Sequence, residues 1–141
     1  MRAYLDANFF IFSLLDKTEI GDSAREIQKR LAQGGFKGFT SSLALDEVLW
    51  VLIKNKKEGL IQSVMDDIYR TPNLLIVPVS STAPILAAKN IGEYGLNPRD
   101  ATHVAVMEEN GIDIIVSDDR DFEKVDKIEW YDFKEFLEKK L

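Results

Sequence analysis

The segment from Asn97 to Phe122 constrains the fold more than any other part of the sequence. Asn97 is a suitable N-cap and Pro98 suits the first turn of a helix, because proline lacks the N–H that this turn leaves unpaired. Small apolar residues recur at helical spacing after them, and a short, nearly continuous apolar run covers residues 112–116. Such a run is typical of a strand that is covered on both faces in a parallel sheet. The segment therefore predicts a helix followed by a buried strand.

Segments with the pattern of strands and of helices alternate along the whole chain, with no linker between them. This alternation is typical of a parallel sheet with helices on both faces. We therefore predict an α/β fold, a three-layer α/β/α sandwich with a parallel sheet of four to five strands, in a single domain that spans residues 1–141. The predicted strands cover residues 2–5, 39–41, 74–77, 112–116 and 128–131.

Capping residues indicate where several helices begin. Ser23 and Glu26 form a capping-box pattern, which predicts that the second helix opens at Ser23. Ser42 is the predicted cap of a long, mostly apolar helix that runs towards Lys57, and Asp132 is the predicted cap of the final helix. Because the long helix leaves little of its circumference polar, we expect it to be buried on two sides or to form an interface.

Acidic side chains recur where the predicted strands end and helices begin. Asp6 follows the first strand, Glu47 lies in the first turns of the helix after the second strand, Asp100 opens a helix, and Asp119 follows the fourth strand. Because the carboxyl ends of parallel strands share one edge of a sheet, we expect these carboxylates to converge there. Taken singly, Asp6 also fits a helix N-cap, and Asp100 also fits a first-turn acid that complements the helix dipole.

Carboxylates that converge repel one another, by about 4 kcal/mol for a pair roughly 4 Å apart at an effective dielectric constant near 20. Arg99 and Arg120 are each able to pair with one acid, which leaves the other acids without a counter-charge. A hard divalent cation, Mg²⁺ or Mn²⁺, fits better, since it accepts carboxylate oxygens and retains water for chemistry. Such a cation polarises a phosphoryl group and activates water, so the predicted reaction is hydrolysis of a nucleic-acid backbone.

Composition narrows the classes of function further. The chain has no cysteine and a single histidine, His103, which excludes thiolate metal sites and argues against a histidine-rich zinc site. The formal charge of −6 argues against binding of nucleic acid through a broad basic surface, and it suits either a basic protein partner or simple solubility. The sequence lacks Walker A, dinucleotide-binding and nucleophile-elbow motifs. A phosphotransferase with Asp6 as nucleophile stays an alternative, although Asn8 stands where its second acid is usually expected.

His103 follows Asp100 by one helical turn. We interpret it as a hydrogen-bonded structural histidine rather than a general base, because it lies on a helical face of small residues. A set of aromatic residues is interpreted as core or dimer interface rather than as a platform for stacking bases. These residues are Phe9, Phe10, Phe12 and Trp50.

Four motifs together resemble the PIN-domain ribonucleases, most closely the VapC-like toxins of toxin–antitoxin pairs. They are Asp6-Ala7-Asn8, Glu47, Asp100-Ala101 and Ser117-x-Asp119-x-Asp121-Phe122, and the likeness runs from Arg2 to about Tyr131. The resemblance implies a metal-dependent endoribonuclease. It implies that Asp6, Glu47, Asp100 and Asp119 are the catalytic, metal-binding acids, that Asp121 is an accessory metal-binding acid, and that Asn8 and Ser117 are supporting residues. Asp118 falls at a variable position of the motif and is not assigned to the site.

The resemblance also implies partners. It implies RNA as the substrate, Mg²⁺ or Mn²⁺ as the cofactor, a homodimer, and a small basic antitoxin that occupies the active-site groove. Two alternatives stay open: a stand-alone RNA-processing PIN nuclease, and a non-catalytic PIN domain that uses its metal site to bind RNA or protein. No apolar run approaches the roughly 18 residues of a membrane helix, and the N-terminus lacks the pattern of a signal peptide, so we expect a soluble, cytoplasmic protein.

Overall fold

A five-stranded sheet forms the centre of the molecule in the computed structural model, which describes residues 1–139. The strands are β1 (Arg2–Leu5), β2 (Lys37–Ser41), β3 (Leu74–Val77), β4 (Ile114–Val116) and β5 (Glu129–Tyr131). Their order across the sheet is β3-β2-β1-β4-β5, and all neighbouring strands are parallel. The predicted parallel sheet of four to five strands is confirmed.

Helices cover both faces of this sheet. Within residues 1–139 the helices are α1 (Ala7–Leu15), α2 (Glu19–Ala32), α3 (Ser42–Lys54), α4 (Ile61–Tyr69), α5 (Ala83–Tyr94), α6 (Pro98–Glu109) and α7 (Phe133–Glu138), with short 3-10 helices at Glu58–Leu60 and Arg120–Lys124. Buried side chains of α1, α2, α3, α4 and α7 join one apolar core, whereas those of α5 and α6 join a second core on the other face. The molecule therefore has the three layers that the sequence predicts.

The central strand β1 contributes to both cores. Ala3 and Leu5 pack in the first core, and Tyr4 between them packs in the second. Successive side chains of a strand point to opposite faces, and all three of these side chains are fully buried. β1 is thus covered on both sides, which explains why its sequence is nearly all apolar.

The register of the sheet brings the carboxyl ends of three strands together. Leu5 of β1 is paired with Val116 of β4, and the Asp6 N–H donates to the Val116 carbonyl oxygen at 3.2 Å. On the other side of β1, the Thr40 hydroxyl of β2 donates to the Leu5 carbonyl oxygen at 2.9 Å. The residues at these strand ends therefore lie along one edge of the sheet. They are Asp6, Ser41 and Ser117.

The start of α2 differs from the prediction. The helix begins at Glu19 rather than at Ser23, and the Thr18 side chain caps it by accepting the Ile20 N–H at 3.3 Å. The Asp16 carboxylate accepts a second N–H of the first turn at 2.8 Å. Because these earlier acceptors already satisfy the helix start, the capping-box pattern at Ser23 lies inside the helix.

The long helix α3 also differs in two respects. Its cap is Ser41 rather than Ser42, and Ser41 Oγ accepts the Ala44 N–H at 3.2 Å. Trp50 on this helix is 62% exposed, so the prediction that α3 is buried on two sides is wrong, as is a core position for Trp50. An interface on this helix stays a prediction. Phe9 and Phe10, by contrast, are buried as expected.

The described residues end two positions before the predicted domain boundary, because residues 140 and 141 lie outside them. A single domain over residues 1–141 therefore stays a prediction. Within residues 1–139, no helix combines the length and the apolar composition that crossing a membrane requires.

Replacing Leu31 with alanine should destabilise the fold by about 2–5 kcal/mol, because the side chain is 1% exposed in the first core and its removal leaves a cavity. Urea unfolding followed by circular dichroism measures this loss. Leu60→Ala is the matched control, because Leu60 is 45% exposed, and its loss should stay below about 1 kcal/mol. Equal losses for the two variants would contradict the placement of Leu31 in the core.

Candidate active site

Asp6 both caps α1 and lies inside the candidate site. Its Oδ1 accepts the Ala7 N–H at 2.7 Å, and its Oδ2 accepts the Ser117 hydroxyl proton at 2.7 Å. The residue is only 5% exposed. Burial raises the pKa of Asp6, and the nearby His103 and the Ser117 hydrogen bond oppose that rise. The two readings of Asp6, as a helix cap and as a site acid, are therefore compatible.

The buried Ser117 hydroxyl connects β1 to the loop after β4. It donates to Asp6, and it accepts hydrogen bonds from the Asn8 side-chain amide and from the Asp119 N–H, each at 3.0 Å. The Asn8 side-chain oxygen accepts the Asp118 N–H at 3.2 Å. Ser117 and Asn8 thus contact the segments that carry two of the predicted acids, and their supporting role stays a prediction.

Asp100 lies in the first turn of α6, where Asn97 holds it with two hydrogen bonds. The Asn97 side-chain oxygen accepts the Asp100 N–H at 2.8 Å, and the Asn97 amide donates to Asp100 Oδ2 at 2.9 Å. Asp100 is 8% exposed. Burial, together with the charges of Asp119 and Asp6, raises its pKa to about 7, although His103 acts in the opposite direction. In the absence of a cation, Asp100 therefore takes up a proton near neutral pH.

Glu47 reaches the site from α3 and meets His103 of α6. His103 Nε2 lies 2.5 Å from Glu47 Oε1 and 3.5 Å from Asp6 Oδ1. Burial alone would lower the pKa of His103, but the hydrogen bond with Glu47 and the charges of Asp6, Glu47 and Asp100 raise it. The imidazole therefore compensates part of the negative charge at this end of the site.

The five predicted acids fall into two adjoining groups. Ligand atoms of Asp6, Glu47 and His103 lie within 4.8 Å of one another, and so do those of Asp100, Asp119 and Asp121. The Ser117 hydroxyl links the groups, because it bonds both Asp6 and the Asp119 N–H. The structure therefore brings the predicted acids together at the carboxyl edge of the sheet.

The sequence allowed Arg120 to pair with one of the site acids, but the structure gives it other partners. Its guanidinium pairs with Glu123 at 3.0 Å and lies over the Trp130 ring at 5.2 Å from the ring centre. Neither of these contacts is with one of the predicted site acids. Arg120 therefore does not form the ion pair with a site acid that the sequence allowed.

Sequence reasoning assigned His103 a structural role and did not connect it with Glu47. Its position three residues after Asp100 was the available signal, because residues three apart share one face of a helix. Tyr4, which contacts His103, was not singled out at all. Its signal was its position two residues before Asp6, because side chains two apart in an extended backbone point to the same side and Asp6 is itself extended.

The donor atoms at this edge suit a hard divalent cation. They are mainly carboxylate oxygens, and both nitrogens of the one imidazole already have hydrogen-bond partners. Burial raises the pKa of Asp6 and of Asp100, so a positive charge between them would favour their ionised forms. The residues present therefore fit a cation of the kind that oxygen ligands bind.

Comparison with models of known families identifies the family of this chain. The family model of the PIN domain matches residues 3–128. The chain belongs to the PIN domain family. The predicted resemblance is thereby confirmed, and the match includes each of the five predicted acids. A search of the curated proteins gives no match for this PIN domain.

Solved structures share the fold of this PIN domain at low sequence identity. VapBC2 from Rickettsia felis, solved bound to a DNA fragment of its promoter, is 18% identical with a TM-score of 0.72, covering 94% of this chain and 98% of that one. VapC20 from Mycobacterium tuberculosis, described as a sarcin-ricin loop cleaving toxin, is 17% identical with a TM-score of 0.71, covering 87% and 94%. A toxin–antitoxin complex from Klebsiella pneumoniae is 17% identical with a TM-score of 0.64, covering 89% and 94%.

Lowering the pH from 8 to 6 should stabilise the metal-free protein through Asp100. The pKa of this carboxyl is raised from the usual 3.8 to about 7 in the folded state. Between pH 8 and pH 6 the Asp100 carboxyl therefore gains a proton in the folded protein, whereas in the unfolded chain it stays ionised. Its contribution is therefore lost as the pH rises through 7, and the change amounts to about 1 kcal/mol, or about 3 °C in Tm. Thermal unfolding in the presence of a chelator measures this change.

Asp100→Asn is the control for this experiment, since asparagine retains the size of the side chain but does not titrate. The pH-dependent gain in Tm should be smaller in this variant by the amount that Asp100 contributes. An identical gain in both proteins would show that Asp100 does not titrate near neutral pH.

Proposed function

We propose that this PIN domain is a metal-dependent endoribonuclease that hydrolyses RNA phosphodiester bonds. The observation that carries the proposal is the convergence of five acids at one sheet edge, where Asp6 and Asp100 are buried and no arginine or lysine is paired with them among residues 1–139. The shared fold with VapC20, a sarcin-ricin loop cleaving toxin, supports RNA as the substrate.

The proposed roles follow from the placement of each side chain. Asp6, Glu47, Asp100 and Asp119 would hold Mg²⁺ or Mn²⁺, with Asp121 as an accessory ligand on the exposed side. When bound, the cation would polarise the phosphoryl group, activate water and stabilise the leaving oxygen.

The supporting side chains would keep these acids in place. Ser117 fixes one oxygen of Asp6 and the backbone of Asp119. Asn8 holds the Ser117 hydroxyl and the backbone of Asp118, which stabilises the loop after β4. Asn97 fixes one oxygen of Asp100. Two of the carboxylates, those of Asp6 and Asp100, thus accept hydrogen bonds from neutral side-chain donors, which restrict their movement without neutralising their charge.

We further propose that the chain is the toxin of a toxin–antitoxin pair, that it forms a homodimer and that its partner is a small basic antitoxin. The fold shared with VapBC2 and with the Klebsiella pneumoniae toxin–antitoxin complex supports this proposal. The formal charge of −6 is suited to a basic partner.

Replacing Asp119 with asparagine should abolish RNA cleavage in the presence of Mn²⁺, with a loss of at least about 100-fold, because a cation ligand is removed. Incubation of the pure protein with a mixture of structured RNAs, with Mn²⁺ or with a chelator, measures cleavage on a denaturing gel. Cleavage by the unchanged protein should require the metal.

Asp113→Asn is the matched control, because Asp113 is exposed and precedes β4 at the opposite edge of the sheet. It should cleave RNA at the rate of the unchanged protein. Cleavage that survives Asp119→Asn, or that continues in the chelator, would reject the proposed site. Binding of RNA without cleavage would favour the non-catalytic alternative, and trapped phosphate on Asp6 would favour the phosphotransferase.

Expression of the chain in a bacterial host should arrest growth, and Asp119→Asn should relieve the arrest, because the toxin proposal requires cleavage of cellular RNA. Colony counts after induction measure the effect, with immunoblots to show equal amounts of both proteins. Cleavage in vitro without any effect on growth would favour a stand-alone RNA-processing nuclease.

A further inference from the structure

His103 on α6 is buried next to the candidate site. Its side chain is 1% exposed, and both of its ring nitrogens have partners. Nε2 contacts Glu47 Oε1 at 2.5 Å, and Nδ1 contacts the Tyr4 hydroxyl at 2.7 Å. A histidine held at both nitrogens cannot rotate without breaking one of these bonds.

The hydrogen bonds continue beyond His103 and return to the helix that carries Glu47. The Tyr4 hydroxyl lies 2.7 Å from Ser41 Oγ, and Ser41 Oγ accepts the Ala44 N–H as the cap of α3. Tyr4 and Ser41 are both fully buried. The path thus starts at Glu47 on α3, crosses α6 and β1, and ends at the first turn of α3.

We propose that His103 is a positioning residue, which fixes the Glu47 carboxylate for cation binding through this path of hydrogen bonds. The inference rests on the proposed metal site. With Oε1 held by the imidazole, Glu47 has one oxygen, Oε2, free of that bond, and its rotation about the side-chain bonds is restricted. A ligand that is already oriented loses less entropy when the cation binds.

The geometry argues against the two other roles for His103. A metal ligand needs a ring nitrogen with a free lone pair, and here one nitrogen contacts a carboxylate and the other a hydroxyl. A general base has to reach the attacking water, whereas the His103 side chain is 1% exposed and lies behind Glu47, which is 21% exposed. His103 Nε2 lies 2.5 Å from Glu47 Oε1 and 3.5 Å from Asp6 Oδ1, so Glu47 is the site acid that His103 holds by a hydrogen bond and through which it acts.

A double-mutant cycle on Mn²⁺ affinity tests this inference, with the dissociation constant measured by titration calorimetry on the pure protein. The variants are His103→Leu, Glu47→Ala and the combination, each checked for folding by circular dichroism. His103→Leu alone should weaken Mn²⁺ binding by about 10- to 100-fold, the usual effect of losing a partner of a metal ligand. In the Glu47→Ala background, the same change should have almost no further effect.

Two milder variants provide the test if His103→Leu does not fold. His103→Gln keeps a donor for Glu47, so Mn²⁺ affinity should recover towards that of the unchanged protein. Tyr4→Phe removes the hydroxyl that joins His103 to Ser41 but leaves the contact between His103 and Glu47, so it should weaken binding less than His103→Leu does, and only when Glu47 is present.

Each possible result supports or overturns the positioning role of His103. Equal losses from His103→Leu with and without Glu47 would overturn the positioning role, as would a nitrogen ligand seen by electron spin echo spectroscopy of bound Mn²⁺. Failure of His103→Gln to recover affinity would also count against it. If the folded, unchanged protein does not bind Mn²⁺, the proposed metal site fails and this inference fails with it. Binding by the unchanged protein with an additive cycle rejects the positioning role alone.

Discussion

Repulsion among buried carboxylates is the constraint on which the arrangement of this molecule depends. Asp6 and Asp100 are almost fully covered by protein, and the neighbouring acids add negative charge around them. Hydrogen bonds from Ser117 and Asn97 and the imidazole of His103 stabilise the cluster only in part, because the pKa values of Asp6 and Asp100 remain raised. The apolar cores on the two faces of the sheet hold the backbone positions that this repulsion opposes.

Local signals in the sequence were sufficient to predict the sheet, its layers and the acids at its edge. The apolar run of the first strand ends before Asp6, and Asn97 caps the helix that follows it, so the ends of both elements could be located closely. Because parallel strands share an edge, placing the ends of strands also predicted that Asp6 and Asp119 would lie at the same edge, where Ser117 links them. The location of the candidate site thus followed from topology.

The contacts inside the site could not be predicted in the same way. Glu47 and His103 are 56 residues apart, and His103 and Tyr4 are 99 apart, so their pairing depends on how α3, α6 and β1 pack together. The wrong start of α2 has a different cause, since Thr18 and Ser23 are both good caps and only the tertiary structure decides between them. Trp50 lies on an apolar helix, and sequence periodicity alone did not reveal which side of that helix is uncovered.

The acidic edge of the sheet and the apolar cores contribute differently to stability and to function. Buried acids whose charge is only partly compensated reduce the stability of a metal-free domain, and departures from the usual rules of burial are expected mainly at functional sites. In this molecule the clustered acids lie at one edge of the sheet, whereas the cores on either face consist of apolar side chains. Neutral donors such as Ser117 and Asn97 restrict the acids without cancelling their charge. An edge built in this way retains the negative potential that a cation requires, and the cores provide the stability that the edge lacks.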